Sequence, residues 1–556
     1  MKKGTLSIIP RLVFLLKGFL PVLTLTVLFG LLGFLSAQAI TFFAALAIVK
    51  HLGHDIILTL TAIFSLMITC GVLRGVFRYL EHYTGHYTAF KLLAVLRDKI
   101  FKKLRELSPA KLECKEKGNL ISMITSDIET LEVFYAHTIA PVTIYILHTA
   151  IMVSSISIVS SIWLGLLSLL TYALIGLVIP LVFGRRVKEN GRNYRNKYSL
   201  LASFFVDGIY GISDLLSFGK VKKQSEKAEK MSLETEQSNK QLKYSSARSK
   251  AITDLFVLFG SVAFILFAAF LNARNGLSDA SMLLVFVMFV ASLGPSLALS
   301  ALPSSLNQTL VAGERVLNLL DEMPNVTDKT DGIDIEYNFC ELKGLSFSYD
   351  TKNVLKNLNV RFEKNKIYGI CGSSGSGKST LLKLLMRFYK ASEGDILFNN
   401  ESIKNINTTS LRGNISYMTQ DTHIFDMSIY ENVSLLGDYS NTEIENACQN
   451  ANLAELIGSL ESGGSTQSGE LGARLSSGEK QRIGLARAFL HGGALILLDE
   501  PTSNIDALSE AEILKSIKNR SKDKTVILVS HRESALLICD EIYLMSSGTL
   551  TQKMHN

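Results

Sequence analysis

The sequence predicts a multi-domain chain: an all-α six-helix transmembrane domain at residues 1–320, a linker at 321–334, and an α/β domain at 335–556. Three observations carry this. The first half holds long stretches without a charged residue. The second half alternates short β-rich runs with helical ones. Between two of those elements lies a glycine-rich loop of defined spacing.

The membrane helices come first. No Asp, Glu, Lys or Arg occurs between Lys17 and Lys50, Asp55 and Arg74, Glu132 and Arg185, Asp254 and Arg274, or Asp279 and Glu314. A bilayer core of ~30 Å needs about 20 apolar residues in a helix. The third run is long enough for two helices, joined near 154–161, which makes six spans. One such run could be a buried core helix; five argue against a soluble protein. A composition of 47% hydrophobic and 19% charged residues agrees.

Charge sets the orientation. The net charge of +7 could indicate nucleic acid, but its distribution does not. Basic residues crowd the N-terminus (Lys2, Lys3, Arg11, Lys17) and the segments 91–117 and 185–250. The alternate connections 51–55, 154–161 and 272–279 are nearly free of Lys and Arg, with only Arg274. This positive-inside pattern predicts a multi-pass protein of the cytoplasmic (plasma) membrane. The N-terminus, both long loops and the C-terminal half would lie in the cytoplasm. The lipid bilayer is then the partner, and nucleic acid is not. Trp163, the only tryptophan, falls at a predicted outer boundary. The first apolar run is too long for a cleaved signal peptide. The six cysteines show no metal-ligand spacing, and reduced thiols are expected. The excursions 79–131 and 185–251 are charged and helical by pattern, so membrane helices should continue well past the bilayer.

From residue 335 the character changes. Short β-rich runs at Ile367–Cys371, Ile415–Met418, 495–498 and Thr525–Val529 alternate with helical stretches, which indicates βαβ units and a largely parallel sheet. Gly372, Ser373, Ser374, Gly375, Ser376, Gly377, Lys378, Ser379 and Thr380 fit the phosphate-loop pattern in full. They follow an apolar strand and open a helix, expected over 381–388. The glycines let backbone N–H groups close around phosphates, and the helix N-terminus adds positive potential. Lys378 should reach the β- and γ-phosphates, and Ser379 should ligate Mg²⁺. Downstream, Leu495-Ile-Leu-Leu-Asp499-Glu500 reads as a buried strand ending in two carboxylates. Asp499 is placed to hold Mg²⁺, and Glu500 to act as the general base that polarises water. Together these define an α/β P-loop ATPase domain.

Between them lies Leu475-Ser-Ser-Gly-Glu-Lys-Gln-Arg482. Here the chain resembles the ABC transporter superfamily, whose signature is close to LSGGQ. Ser476 and Gly478 are kept, followed by Glu479, while Ser477 departs from the family's first glycine. The resemblance covers the whole ATPase domain. Gln420 matches the Q-loop, Ser503-Asn-Ile-Asp506 the D-loop, and His531 the switch histidine. Tyr349 matches the adenine-stacking aromatic and Gly469-Glu470 the X-loop of exporters. The resemblance implies ATP and Mg²⁺ as cofactors, with Gln420 joining Ser379 and Asp499 near the metal. It implies catalytic roles for Glu500, His531 and Gln420. It also implies pairing with a second half-transporter, as a homo- or heterodimer, because each ATP is held by one domain's phosphate loop and the other's signature. Relatives usually carry another helical segment after the final strands, whereas this chain ends at Asn556.

A narrower resemblance surrounds the second membrane helix, from Arg74-Gly-Val-Phe-Arg78 through Glu81-His82 and His86 to Phe90, then Leu107-Ser-Pro-Ala110 and Ala140-Pro141. It is similar to the cysteine/glutathione exporters of cytochrome bd assembly, C-type half. Arg74, Arg78, His82 and His86 are spaced by four and share a helix face. At 1.5 Å per residue, Arg74 lies roughly 27 Å from a helix start near Ile56. Three readings fit this stripe. It attracts an anionic small-molecule cargo such as glutathione; His86, with His82, binds haem; or the arginines snorkel to lipid phosphate with a local Arg78–Glu81 pair. By the family resemblance, two cytoplasmic segments, near 114–120 and 207–219, couple the ATPase to the membrane domain. Gly118 is expected to permit a tight turn in the first.

The expected function is an ATP-driven transporter subunit that exports a small solute by alternating access. An importer with the exporter fold, for siderophore- or haem-type cargo, and an ATP-gated regulator or channel are the alternatives.

Overall fold

A computed structural model describes residues 8–113, 115, 117–275, 278–300, 303–349 and 352–553. Lys2, Lys3, Cys114 and Asn556 lie outside the described residues. The chain divides into two compact units. One holds Met1–Lys103 and Glu116–Glu322; the other holds Leu104–Lys115 and Met323–Asn556. The second unit thus takes in twelve residues of the charged excursion 79–131.

In the first unit, six helices among the described residues are long and apolar enough to cross a membrane: Lys17–His51, Leu60–Leu107, Gly118–Val159, Ile162–Gly184, Val221–Arg274 and Asp279–Ser300. Three of the elements that carry them extend far beyond a bilayer's need of about 20 residues. Leu60–Leu107 has 48 residues, Val221–Asn275 has 55, and Ile179–Tyr210 continues the fourth span for 32. The third and fourth spans part at Ser160 and Ser161, where the Ser161 hydroxyl caps the next helix by accepting from the Trp163 N–H at 3.3 Å. Trp163 is exposed beside this turn.

Two local expectations change. The second span starts at Leu60, not near Ile56. Lys50 Nζ donates to the Ile56 carbonyl at 2.8 Å and also to the Leu58 carbonyl, and Thr59 Oγ1 accepts from the Ala62 N–H. The carbonyls that would have joined a helix are taken by Lys50, and the helix begins after a side-chain cap. Gly118 does not turn the chain. It sits inside the helix Lys117–Ser122. The helix break lies earlier, at Pro109, after which 110–113 form successive turns.

In the second unit, ten strands among the described residues form two sheets. β1 (Phe339–Tyr349), β2 (Lys352–Glu363), β4 (Glu393–Phe398) and β5 (Glu401–Ser402) make an antiparallel sheet ordered β2-β1-β4-β5. The second sheet is ordered β10-β9-β3-β8-β7-β6. It contains β3 (Ile367–Cys371), β6 (Ile415–Met418), β7 (Leu495–Asp499), β8 (Thr525–Val529), β9 (Glu541–Ser546) and β10 (Thr549–Lys553). Pairing is parallel throughout except between β9 and β10. β7 and β8 are buried at every position. Leu495 and Leu497 join one apolar cluster while Ile496 and Leu498 join another, as a strand covered on both faces requires. The sheet's carboxyl edge therefore presents loops from β3, β8, β7 and β6 side by side, where ligands of open α/β sheets bind.

Candidate functional site

The phosphate loop leaves β3 and is shaped by three glycines with positive φ: Gly372 (148°), Gly375 (77°) and Gly377 (110°). Two are also sterically required. A Cβ at Gly372 would lie 2.1 Å from the Met545 carbonyl oxygen, and one at Gly377 would lie 2.7 Å from Leu355. Gly377 caps the helix Lys378–Leu385, which starts three residues before the expected 381 and stops at Leu385 because the chain turns into positive φ at Arg387.

Neighbouring strand ends bring the other groups together. Lys378 Nζ donates to the Gly372 and Ser373 carbonyls at 2.8 and 3.0 Å, and lies 3.1 Å from His531 Nε2 after β8. The same imidazole nitrogen lies 3.1 Å from Glu500 Oε1 after β7. Gln420, after β6, donates through Nε2 to Glu500 Oε2 at 3.3 Å. Four of the sequence-predicted residues thus form one contiguous cluster. A single ring nitrogen cannot donate to Glu500 and accept from Lys378 at once, so His531 chooses between them by tautomer or protonation.

Asp499 is buried beside this cluster, and burial raises its carboxyl above the usual range, opposed by a hydrogen bond from Ser379. Burial lowers the Lys378 ammonium, opposed by the charges of Glu500 and Asp499. A carboxyl group beside a hydroxyl is an oxygen donor set for a hard cation, whose charge would draw off the carboxyl proton. Ser376 Oγ is buried in the loop without a hydrogen-bond partner. That orphan and the open loop amides are what a phosphate group would satisfy. ATP with Mg²⁺ therefore fits the residues present. Ser374 sits at the loop tip, exposed. Thr380 Oγ1 lies 3.4 Å from Tyr349 OH, and the Tyr349 ring packs edge-on against Phe347 and Tyr389.

Glu500 has φ +54°, unusual for a residue with a side chain. Its N–H donates to Val529 O at 2.9 Å, and Gln481 donates to its carbonyl. Gln481 is a residue that sequence reasoning passed over. It is 3% exposed, donates to Ser503 Oγ at 2.9 Å and accepts from the Asn504 N–H at 3.1 Å. Arg532 and Glu510 were also passed over: Arg532 donates to Glu510 at 2.6 Å and to the carbonyls of Ser503 and Ile505. The signal for these was their place inside or beside a motif.

The signature opens the helix Ser477–His491. Ser476 and Glu479 form a reciprocal capping box, with Ser476 N–H to Glu479 Oε2 at 2.7 Å and Glu479 N–H to Ser476 Oγ at 3.3 Å. Gly478 is close-packed: a Cβ there would lie 2.9 Å from Asn504 O. Ser477 is exposed at the first helical position, where the absent glycine is not needed for conformation.

In the other unit, Arg74 and Arg78 are exposed on the second span, and Arg78 pairs with Glu81 at 2.7 Å. With the helix starting at Leu60, Arg74 lies about 21 Å along it. His82 and His86 meet edge-on with ring centres 4.4 Å apart, and His86 also meets His137 at 5.2 Å and Glu132 at 3.1 Å. His137 lies on a π turn, Tyr135–Ile139, in the third span. A cavity of about 270 Å³ is lined by Arg78, Glu81, His82, His86 and His137 among others. Among the described residues, no group of three or more His, Cys, Asp or Glu side chains could hold a metal ion by itself.

Comparison with known proteins agrees with this geometry. Residues 14–297 match the model of the ABC transporter transmembrane region, and residues 355–503 the model described as ABC transporter. The chain is 40% identical over 553 residues to a Haemophilus influenzae protein named "Probable ABC transporter ATP-binding/permease protein", covering 99% of this chain and 100% of that one. It is 29% identical over 492 residues to the glutathione/L-cysteine transport system ATP-binding/permease protein CydC of the same organism, covering 86% and 84%. The fold matches a solved bacterial Atm1-family ABC exporter with ATP bound, at a TM-score of 0.81 and 21% identity, over 97% of this chain and 95% of that one.

Proposed function

The chain belongs to the ABC transporter family as an exporter-type ATP-binding/permease protein with ATPase activity, and from that premise we propose that it is one half of a dimeric pump that exports a small anionic or thiol solute. The observation that carries the ATPase part is the cluster of Lys378, His531, Glu500 and Gln420, with successive contacts of 3.1, 3.1 and 3.3 Å. Lys378 would neutralise the β- and γ-phosphates once it exchanges the carbonyls of Gly372 and Ser373 for phosphate oxygens. Ser379, Asp499 and Gln420 would hold Mg²⁺, which supplies further charge neutralisation on the phosphates. Glu500 would take a proton from the attacking water, and His531 would leave Lys378 for the γ-phosphate. Tyr349 would stack the adenine, with Ser476, Gly478 and Glu479 closing the partner's site.

The cargo part rests on the second span. Arg74 and Arg78 are exposed cations on a helix that crosses the membrane, and the CydC relative's named cargo is glutathione or L-cysteine. A positively charged face of this kind selects an anion. Exposed apolar residues at 209–218, including Tyr210 and Phe218, would serve as one coupling surface. The segment near 114–120 would serve as the other. The N-terminus and the ATPase domain would face the cytoplasm, following the charge pattern.

The test is ATP-dependent uptake of labelled glutathione into inside-out vesicles, with Glu500→Gln as control. Uptake that the variant abolishes supports the pump, its direction and its cargo together. Absence of uptake from vesicles that hydrolyse ATP overturns the thiol cargo. The meeting of His82, His86 and His137 favours a second reading, haem as the ligand of that face. A haem absorbance band lost in His86→Ala would support it.

A further inference from the structure

The end of the second long helix, from Leu104, and the turns that follow it belong to the ATPase unit. Glu113 accepts from Lys383 Nζ at 2.8 Å and from the Tyr389 hydroxyl at 2.9 Å. Lys383 belongs to the same helix as Lys378, so this segment is tied to the helix that follows the phosphate loop. Next to it lies a cavity of about 310 Å³ that shares no residue with the phosphate loop. Arg105 and Ser108 line it from the segment, Asn325 and Asp328 from the linker, and Arg387 and Arg412 from the ATPase fold. Its lining holds three guanidiniums and two carboxylates, Glu106 and Asp328, and is net positive.

The charges are unevenly matched. Arg387 is only 6% exposed, and its hydrogen bonds go to neutral oxygens: the carbonyls of Ile403 and Ile406, at 2.8 and 2.7 Å, and the Thr408 hydroxyl. Its Nε has no partner. Arg412 pairs with Asp328 at 3.3 Å, and its own buried Nε also has no partner. Asp328 thus serves two neighbouring guanidiniums. Burial, and repulsion from Arg412, lower the Arg387 guanidinium below the ordinary arginine range. A buried cation whose hydrogen bonds go to neutral oxygens, which shares one carboxylate with a neighbouring guanidinium and keeps an unmatched N–H, gains from an anion at hydrogen-bond distance.

We propose that this cavity is an anion site that takes the phosphate monoester of a small molecule, bound by Arg387 and Arg412 and closed over by Arg105. Planar guanidiniums match phosphate oxygens in pairs, which an ammonium does not. The volume lies at the lower end of small-molecule pockets, ~300–1,000 Å³, and leaves room beside the phosphate for a sugar-sized body. A ligand seated here would bridge the segment 104–115 to the ATPase fold, and so stiffen the tie that reaches the phosphate loop through Lys383.

The experiment uses the full-length Lys378→Ala protein in detergent without nucleotide, so that phosphate binding at the ATP site is weakened. Ribose 5-phosphate is titrated calorimetrically at constant ionic strength, with ribose as the neutral probe. The expected result is saturable binding of one ribose 5-phosphate per chain and none of ribose. Arg412→Gln and, separately, Arg105→Gln should each weaken binding tenfold or more. Arg105 is exposed, so its replacement tests the site even if Arg412→Gln fails to fold. Absence of saturable binding, equal binding of ribose, or unchanged affinity in Arg105→Gln overturns the proposal.

Discussion

Glu510 offers the sharpest test of how the catalytic edge is held. Its buried carboxylate accepts from Thr502 Oγ1 at 3.1 Å, Ser534 Oγ at 2.9 Å and Arg532 Nη1 at 2.6 Å. Arg532 follows His531 directly and also donates to the carbonyls of Ser503 and Ile505, at 3.0 and 3.2 Å. Glu510 therefore ties the loop after β8 to the loop after β7. In Glu510→Ala, two hydroxyls lose an acceptor and Arg532 loses its counter-charge. Removing one partner of a buried ion pair costs about 3–5 kcal/mol. The Arg532 side chain is 35% exposed and keeps two carbonyls, so solvent screening reduces this to about 2–4 kcal/mol. For a unit of this size, each kcal/mol moves the midpoint by roughly 2–4 °C, so a loss near 3 kcal/mol lowers it by about 6–12 °C. Cys340, Cys448 and Cys539 are buried in this unit, and a thiol-reactive dye on the full-length chain reads its unfolding. Glu510→Gln, which keeps an acceptor oxygen, should fall about half as far. A midpoint for Glu510→Ala within 2 °C of the wild type would refute the reasoning.

Other outcomes follow from the same site. Glu500→Gln should keep ATP binding and lower turnover by about 10²–10⁴-fold; an unaffected rate removes Glu500 from the mechanism. Asp499 has its folded pKa raised by burial. Its contribution to stability is therefore fully present below the unfolded pKa and is lost as pH rises through the raised folded value. Asp499→Asn should then raise the melting midpoint of the nucleotide-free protein more at pH 7.5 than at pH 5, while abolishing hydrolysis; equal shifts at both pH values would count against the desolvation. Gly372→Ala should abolish ATP binding, because its Cβ would meet a backbone oxygen at 2.1 Å; retained nucleotide affinity by fluorescence titration contradicts this. Arg74→Ala with Arg78→Ala should remove cargo stimulation of ATPase and leave the basal rate; unchanged stimulation discards the cargo face.

Some of this architecture was legible because the signal is local. β3, β6 and β8 occupy the residues their apolar runs marked, and the six spans follow from charge-free length. The phosphate loop, Gln420, Glu500 and His531 follow the ends of β3, β6, β7 and β8, where the apolar runs stop, whereas the signature opens a helix. What escaped depends on contacts distant in sequence. His137 and Glu132 reach His86 across 46 positions or more, and a π turn aims His137, for which the sequence has no marker. β1 and β2, at 11 and 12 residues, were not anticipated because polar residues interrupt their apolar positions along the length and only one face is buried. The late start of the second span depends on Lys50 reaching forward to two carbonyls. Gly118, alone and without neighbours, proved to be helical because a glycine permits a turn without demanding one.

The close approach of Met545 O to Gly372 makes the last two strands part of the nucleotide seat. The turn between β9 and β10 is also fastened to β2, where Lys356 N–H donates to Gly548 O at 2.8 Å, and the adjoining Val354 and Leu355 press on Gly377. One side of the phosphate loop is thus a hairpin from the far end of the domain. A purification tag or fluorescent protein attached beyond β10 would pull on that hairpin directly, and nucleotide affinities measured on such fusions would report the load along with the site. Probes are better placed at 436–438, an exposed stretch that belongs to neither strand.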